Sequence, residues 1–240
     1  MSLDIPAPAV DVATPGGPAR VHVVRRRGAR GTLIVGHGAG GGLGSVDIGA
    51  TRTALAQEGW AVALVEQPWL VAGRRVAGPP RTLDAAWVPV VQALRGREGA
   101  LATVKGPLIL GGRSAGARVA CRTAEQLGAD AVLCLSFPLH PPGRPDKLRA
   151  PELALVTDAG RPIAAIQGEN DPFGTPGELT AYLEQVYAVS GTHSIPRSSA
   201  AAVAQAALAF ARAAGMRARH GLLTGGFPLA LDGGLLACSC

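Results

Sequence analysis

The 240-residue sequence predicts an α/β fold, with one mainly parallel sheet covered by helices on both faces. Three observations carry that prediction. Apolar runs alternate with segments of helical periodicity over nearly the whole chain, which requires crossover connections between parallel strands. The runs are almost continuously apolar, as strands buried on both faces must be. Hydrophobic residues make up 48% and charged residues 17%, a globular balance, while 33 glycines and 19 prolines supply many turns. A chain of this length buries a core without disulfides or metal, so a single domain is expected.

Residues 1–20 are punctuated by Pro and Gly and supply an edge strand at most. "RVHVV" is a strand, and "GTLIVGHG" a second one. "DIGATRTALAQEG" has apolar positions at helical spacing and stops at Gly59. "WAVALVEQP" is the next buried strand, followed by an amphipathic helix, "RTLDAAWVPVVQALRGREG", with Leu83, Trp87, Val90, Val91 and Leu94 on one stripe. Strand "GPLILGG", helix "AGARVACRTAEQLG" and strand "ADAVLCLSFP" continue the alternation. A short Pro-rich connection leads to strand "RPIAAIQGE", helix "GELTAYLEQV", the short segment "YAVSGTHS" and helix "RSSAAAVAQAALAFARAAG". The domain therefore spans residues 21–215. Residues 216–240 lose the periodicity and are expected to form a poorly ordered tail.

The formal charge of +6 rests on arginine, since Lys105 and Lys147 are the only lysines. The basic run "RRRGAR", Arg25 to Arg30, has no interleaved aromatic to stack on bases, so it is a solvated strand end and nucleic acid is not an expected partner. No basic and apolar leader opens the chain, and no apolar run reaches the ~18 residues of a membrane span. Cys121 and Cys134 lie in apolar surroundings typical of buried free thiols, which favours a reducing compartment, and a cytoplasmic location is expected. The cysteines form no CxxC pair and have no histidine at ligand spacing; Cys238 and Cys240 are incidental to metal binding. No metal or cofactor is expected.

The chemistry gathers around "GGRSAG". Ser114 stands in a GxSxG pattern, Gly112 to Gly116, where a buried strand meets a helix. A nucleophile on such a turn has strained backbone angles, so the residues two positions away must be small. The competing reading is a serine N-cap, which needs only the helix start and is indifferent to the flanking glycines. A serine hydroxyl needs a base to activate it, and the base needs a carboxylate to orient it. In α/β-hydrolases these follow in the order Ser, Asp or Glu, His. Asp171, in "IQGENDPFGTP" just past a strand, and His193, in "VSGTHSIP" before the last helix, satisfy that order. Glu169 and Asp158 are weaker candidates for the acid. His22, His140 and His220 are weaker candidates for the base, but His140 is a candidate pocket residue.

Acyl transfer also needs donors aimed at a developing oxyanion. "GHGAGGG", Gly36 to Gly42, follows the strand expected beside the nucleophile strand. The donors are assigned to the backbone N–H of Ala115 and of Ala39, with Gly40 as the alternative. His37 braces this loop. A phosphate cradle is disfavoured, because no Lys-Ser/Thr pair follows the glycines and no GxGxxG register opens into a helix.

The blocks "VGHGAGGG", "EQPWLVAGRR", "GGRSAG", "FPLHPPGRPDKLR" and "IQGENDPFGTP" together resemble the small α/β-hydrolases grouped with testis-expressed protein 30 and the third subunit of the NSL chromatin complex, close to the dienelactone hydrolase-like enzymes. The resemblance covers most of residues 31–195 and implies an eight-stranded hydrolase core with Ser114 as nucleophile, Asp171 as acid and His193 as base. That group more often carries a larger residue, commonly Met, where this chain has Ala115, and an acidic residue before the histidine, where it has Gly191-Thr192. Both differences bear on pocket shape. The group includes proteins that act as chromatin-complex subunits rather than demonstrated enzymes.

The sequence is thus expected to encode a single-domain serine hydrolase for a small ester or thioester. Residues Pro138 to Arg149 are too few for a separate helical lid. Arg74, Arg75, Arg113 and His140 are the candidates for biasing the pocket toward acidic or polar acyl groups. The alternatives are a non-catalytic scaffold with the same fold and an acyltransferase using the same triad.

Overall fold

The computed structural model describes residues 9–25 and 27–224, with side chains through residue 217. Eight strands form one sheet: β1 (Ala9–Val12), β2 (Ala19–Val24), β3 (Thr32–Gly36), β4 (Ala61–Glu66), β5 (Leu108–Arg113), β6 (Ala131–Leu135), β7 (Ile163–Gly168) and β8 (Gln185–Val189). Their spatial order is β1-β2-β4-β3-β5-β6-β7-β8. β1 and β2 are antiparallel additions at one edge, and β4 through β8 run parallel with β3.

Successive residues of the central strands enter two separate apolar layers, as strand geometry demands. Ile34, Ala63, Leu110, Cys134 and Ala165 face one layer. Leu33, Val35, Leu64, Ile109, Leu133 and Ile166 face the other. The first layer is closed by α3 (Pro80–Arg95), α4 (Ala115–Thr123) and α5 (Ala150–Thr157), through Trp87, Val90, Val119, Leu153 and Val156. The second is closed by α1 (Val46–Gln57) and α7 (Ala200–Thr224), through Ile48, Leu55, Val203, Ala207 and Phe210. Two short helices, α2 (Pro68–Val71) and α6 (Pro176–Leu179), sit at the carboxyl end of the sheet.

The order of the strands positions the site. From β3 the chain steps outward to β4, then returns past β3 to β5 on its other side. The loops leaving β3 and β5 therefore diverge, opening a crevice at the carboxyl ends of these neighbours, where Gly36 pairs with Gly112.

Three expectations change. The segment 177–186 is not one helix: only Pro176–Leu179 is helical, under a Thr175 capping box with Glu178, and Gln185–Val189 is strand β8. Helical spacing there competes with an open strand edge on β7, and the ladder from Ala164↔Gln185 to Gly168↔Val189 wins. The Pro-rich connection contains α5, in which Pro151 occupies the first turn where no N–H is missed and Leu153 and Val156 are buried. The last helix continues through Thr224, nine residues beyond the expected end of the domain at 215. The rest of the expected tail, with Cys238 and Cys240, lies outside the described residues. No helix among the described residues is long and apolar enough to cross a membrane.

In the sheet's crevice the end of β3 and the start of α4 meet backbone against backbone. A Cβ on Gly116 would sit 2.6 Å from the Gly36 carbonyl carbon and oxygen, and one on Gly112 would sit 2.3 Å from the carbonyl carbon of Gly116. Neither neighbour can rotate away. Gly116→Ala is expected to cost about 1–3 kcal/mol and to lower the thermal midpoint by several degrees, whereas Gly44→Ala, which meets nothing within 4 Å, leaves it in place. Thermal unfolding of the two variants checks this, and equal midpoints would contradict the packing argument.

Candidate active site

Ser114 occupies the turn between β5 and α4 with φ 52° and ψ −111°, one of two non-glycine residues at positive φ among those described. This is the strained elbow, not a cap. Although Ser114 stands at the N-cap position, its side chain makes no capping hydrogen bond. Its Oγ instead lies 2.9 Å from His193 Nε2. The turn is held by Ser114 N–H donating to Leu135 O at 2.9 Å and by Arg118 N–H donating to Ser114 O at 3.2 Å.

His193 Nδ1 lies 2.8 Å from Asp171 Oδ2. A carboxylate only accepts, so Nδ1 carries the proton and Nε2 turns its lone pair toward the serine hydroxyl. Asp171 is 2% exposed and reaches the imidazole because β7 ends at Gly168 and the chain turns at once, Asp171 N–H donating to Gly168 O at 3.1 Å. Its other oxygen accepts from Phe173 N–H at 2.9 Å. The alternative acids are elsewhere: Glu169 is exposed and accepts from Ser190 Oγ, and Asp158 is exposed at the end of α5.

Gln167, a fully buried amide in an otherwise apolar strand, escaped the sequence reading. Its Nε2 reaches Asp171 Oδ2 at 2.8 Å and Gly174 O at 2.8 Å, and its Oε1 accepts from Phe137 N–H at 2.8 Å. It fixes the carboxylate against the loops after β6 and β7. The available signal was a lone polar residue in "IAAIQG", four positions before the acid. Asp47 was missed too, although an acidic residue in a first helical turn is ordinary. It is 1% exposed and lies 3.2 Å from Arg113 Nε, while Arg113 Nη2 donates to His193 O at 2.6 Å. Arg113 thus ties the histidine loop to α1. The ring of Phe173 packs on that of His193, centroids 4.2 Å apart.

The group opens into a cleft of about 660 Å³ lined by Ser114, His193, Phe173, Arg113, Ala115, Ala39 and Gly40, with Arg118, Pro138 and Arg149 along its wall. The Ala115 N–H heads α4, where no intrahelical acceptor exists, and the Ala39–Gly40 turn faces it across the crevice. Pro138 to Arg149 form turns and bends without a helix.

Three expected pocket residues lie elsewhere. His140 is buried beside α6, its Nε2 3.1 Å from Glu178 Oε1 and its Nδ1 3.0 Å from Pro141 O, and it does not line the cleft. The capping box of α6 holds that glutamate in place and draws the ring toward it. Arg74 is exposed and borders a separate cleft with Gln67, Trp69 and Leu83, because α2 carries it to the other side of the β4 loop. Arg75 is exposed and absent from the Ser114 cleft.

His37 braces the loop after β3. Gln67 N–H donates to its Nε2 at 3.0 Å, so Nδ1 carries the proton and donates to Gly38 O at 2.9 Å, and the ring meets Trp69 edge-on at 5.2 Å. Burial pushes its pKa below the ordinary 6.5, the backbone acceptor at Gly38 opposing that only in part.

The chain belongs to the alpha/beta hydrolase domain family, whose model matches residues 29–205. Solved structures with the same fold include an α/β serine hydrolase without a lid from Xanthomonas campestris, 19% identical over 87% of this chain and 94% of that one, with a TM-score of 0.66. Est1E from Butyrivibrio proteoclasticus, solved with ferulic acid, is 15% identical over 85% and 98%, with a TM-score of 0.68. A dienelactone hydrolase from Anabaena variabilis is 20% identical over 85% and 94%, with a TM-score of 0.62. At these identities the likeness is one of fold. No curated protein matches the chain in sequence.

The buried neutral His37 has a stability consequence. Below pH 6.5 the unfolded chain takes up a proton that the folded chain refuses, so folding stability is full above that pH and is lost as the pH drops through that region. His37→Asn is expected to flatten the fall of the thermal midpoint between about pH 7.5 and pH 5. Parallel wild-type and variant curves would show that this imidazole is not held neutral.

Proposed function

We propose that the protein is a serine hydrolase that cleaves a small ester or thioester through an acyl-enzyme on Ser114. The observation that carries this reading is the continuous chain from Ser114 Oγ to His193 Nε2 and from His193 Nδ1 to Asp171, 2.9 and 2.8 Å, on a strained elbow facing an open cleft. The esterase from Pyrobaculum calidifontis, a fold neighbour, supports the same reaction class.

In this mechanism His193 Nε2 takes the hydroxyl proton as Ser114 Oγ attacks the carbonyl carbon. The negative charge on the former carbonyl oxygen is met by the N–H groups of Ala115 and Ala39, with Gly40 as the alternative second donor. Asp171 holds the tautomer and stabilises the imidazolium. His193 then returns the proton to the departing alkoxide or thiolate, and water repeats the sequence on the acyl-enzyme. A close second-step rival, acyl transfer to an alcohol or amine, uses the same groups.

The "PLHPPG" and "DPFGTP" blocks favour membership in the group of testis-expressed protein 30 and the third NSL-complex subunit. The free, buried thiols of Cys121 and Cys134 favour a cytoplasmic setting. The substrate is a small molecule; neither nucleic acid nor a membrane is its partner.

Ser114→Ala is expected to lower p-nitrophenyl ester turnover by about 10³-fold or more without loss of fold, and to abolish labelling by a fluorophosphonate. An unlabelled wild-type Ser114 in folded protein would favour the scaffold reading. Asp171→Asn should lower kcat by about 10³-fold or more, because the amide donates to Nδ1 and forces the wrong tautomer. A mild effect in steady-state kinetics would point to another acid.

A further inference from the structure

Three arginines reach the cleft beside Ser114, and they are engaged very differently. Arg113 is committed to Asp47 and to the carbonyl of His193. Arg118 donates from Nε and Nη2 to both oxygens of Glu152, each at 2.7 Å. Glu152 also accepts from Arg122 at 2.9 Å, and Arg122 clamps Asp84 at 2.8 and 2.7 Å. Arg118 and Arg122 thereby balance Glu152 and Asp84, and Arg113 balances Asp47. Arg149 is left over.

Arg149 donates from Nη1 to Pro138 O at 2.8 Å, which anchors the guanidinium to the loop after β6. Its backbone N–H donates to Leu139 O at 2.7 Å, so the residue is held at both ends. Among the described residues no carboxylate lies within ion-pair distance of it, and neither its Nε nor its Nη2 has a hydrogen-bond partner. Burial and the nearby Arg118 both disfavour its charge, and Glu152 offsets this only in part. The Nη1 of Arg118 is likewise unused within the described structure. A half-buried, anchored guanidinium without a counter-ion is completed by an anion, and its planar fork fits a carboxylate. The cleft, at about 660 Å³, is of small-molecule size.

We propose that Arg149, assisted by Arg118 Nη1, binds a carboxylate carried by the substrate, so that the ester this site accepts best is one bearing a free carboxyl group. This rests on the hydrolase reading above for the word ester, but the anion site is measurable without turnover. A single uncompensated charge favours a monoanionic carboxylate over a phosphate.

The test is calorimetric titration of Ser114→Ala, at low salt, with monomethyl glutarate and with its uncharged counterpart methyl valerate. The carboxylate ester is expected to bind at least about tenfold tighter. Adding Arg149→Gln removes that preference; adding Arg144→Gln, on an exposed guanidinium of the same loop that faces Asp146 at 3.7 Å, retains it. Raising salt from about 20 mM to about 500 mM should weaken only the carboxylate ester, a readout that needs no second substitution. Equal affinity for the two esters, a preference that survives Arg149→Gln, or a salt-insensitive preference overturns the proposal. Tighter, Arg149-dependent binding of inorganic phosphate overturns the carboxylate assignment. An Arg149-dependent preference in a protein whose Ser114 takes no fluorophosphonate supports the anion site and sinks the hydrolase reading alone. A labelled Ser114 with no preference does the reverse.

Discussion

The approach of α4's first turn to the end of β3, with Gly116 against the Gly36 carbonyl, is the contact on which the rest of the site depends. Only a side-chain-free backbone comes that close, and only from there does the helix start directly beneath the serine. The consequence is the positive φ of Ser114, which lifts Oγ out of the sheet and leaves Ala115 lining the cleft. Gly38 continues the same constraint: a Cβ there would sit 2.9 Å from Arg113 Nη1 and 3.3 Å from Ser114 Cβ. The glycine-rich loop is therefore defined by how closely Ser114 and its neighbours press on it.

Around that fixed serine, the histidine is held from four sides. Asp171 takes its Nδ1–H, Arg113 holds its backbone carbonyl, Phe173 covers its ring, and Ser114 meets its Nε2. Each of these partners is itself restrained, Asp171 by Gln167 and Arg113 by Asp47. In the proposed mechanism, pre-organisation of this kind removes the reorganisation that would otherwise accompany proton transfer. The ion pairs have a second effect. They consume nearly all the charge near the cleft, so that one unpaired guanidinium, Arg149, dominates what the cleft presents to a ligand.

The central strands β3 to β7 were legible because double-sided burial leaves an unmistakable apolar run, and α1, α3 and α7 because their apolar positions recur with helical spacing. Strand β8 was not, since an edge strand is half exposed and the helical spacing of the residues before it runs on into Gln185 and Val186 until β7 offers a ladder. Helix α5 was hidden by the prolines around it. Ser114, Asp171 and His193 were named from order and loop position, and the structure brings all three into one hydrogen-bonded chain. Arg113 lines the cleft, whereas His140, Arg74 and Arg75 do not, because proximity along the chain to a pocket-forming loop says nothing of which way a side chain is drawn.

What the sequence by itself determined is the alternation of strands and helices, the elbow glycines and the chemical types at the turn ends. These follow from local rules of periodicity, steric size and chain order. What only the tertiary structure decided is which polar groups find partners: that Gln167 faces Asp171, that Asp47 answers Arg113, and that Arg149 is left without a carboxylate. Pairing of charge is a property of elements far apart in the chain. It is settled when the sheet order brings α1, α3, α4 and α5 to the rim of one crevice, and no spacing along the sequence encodes it.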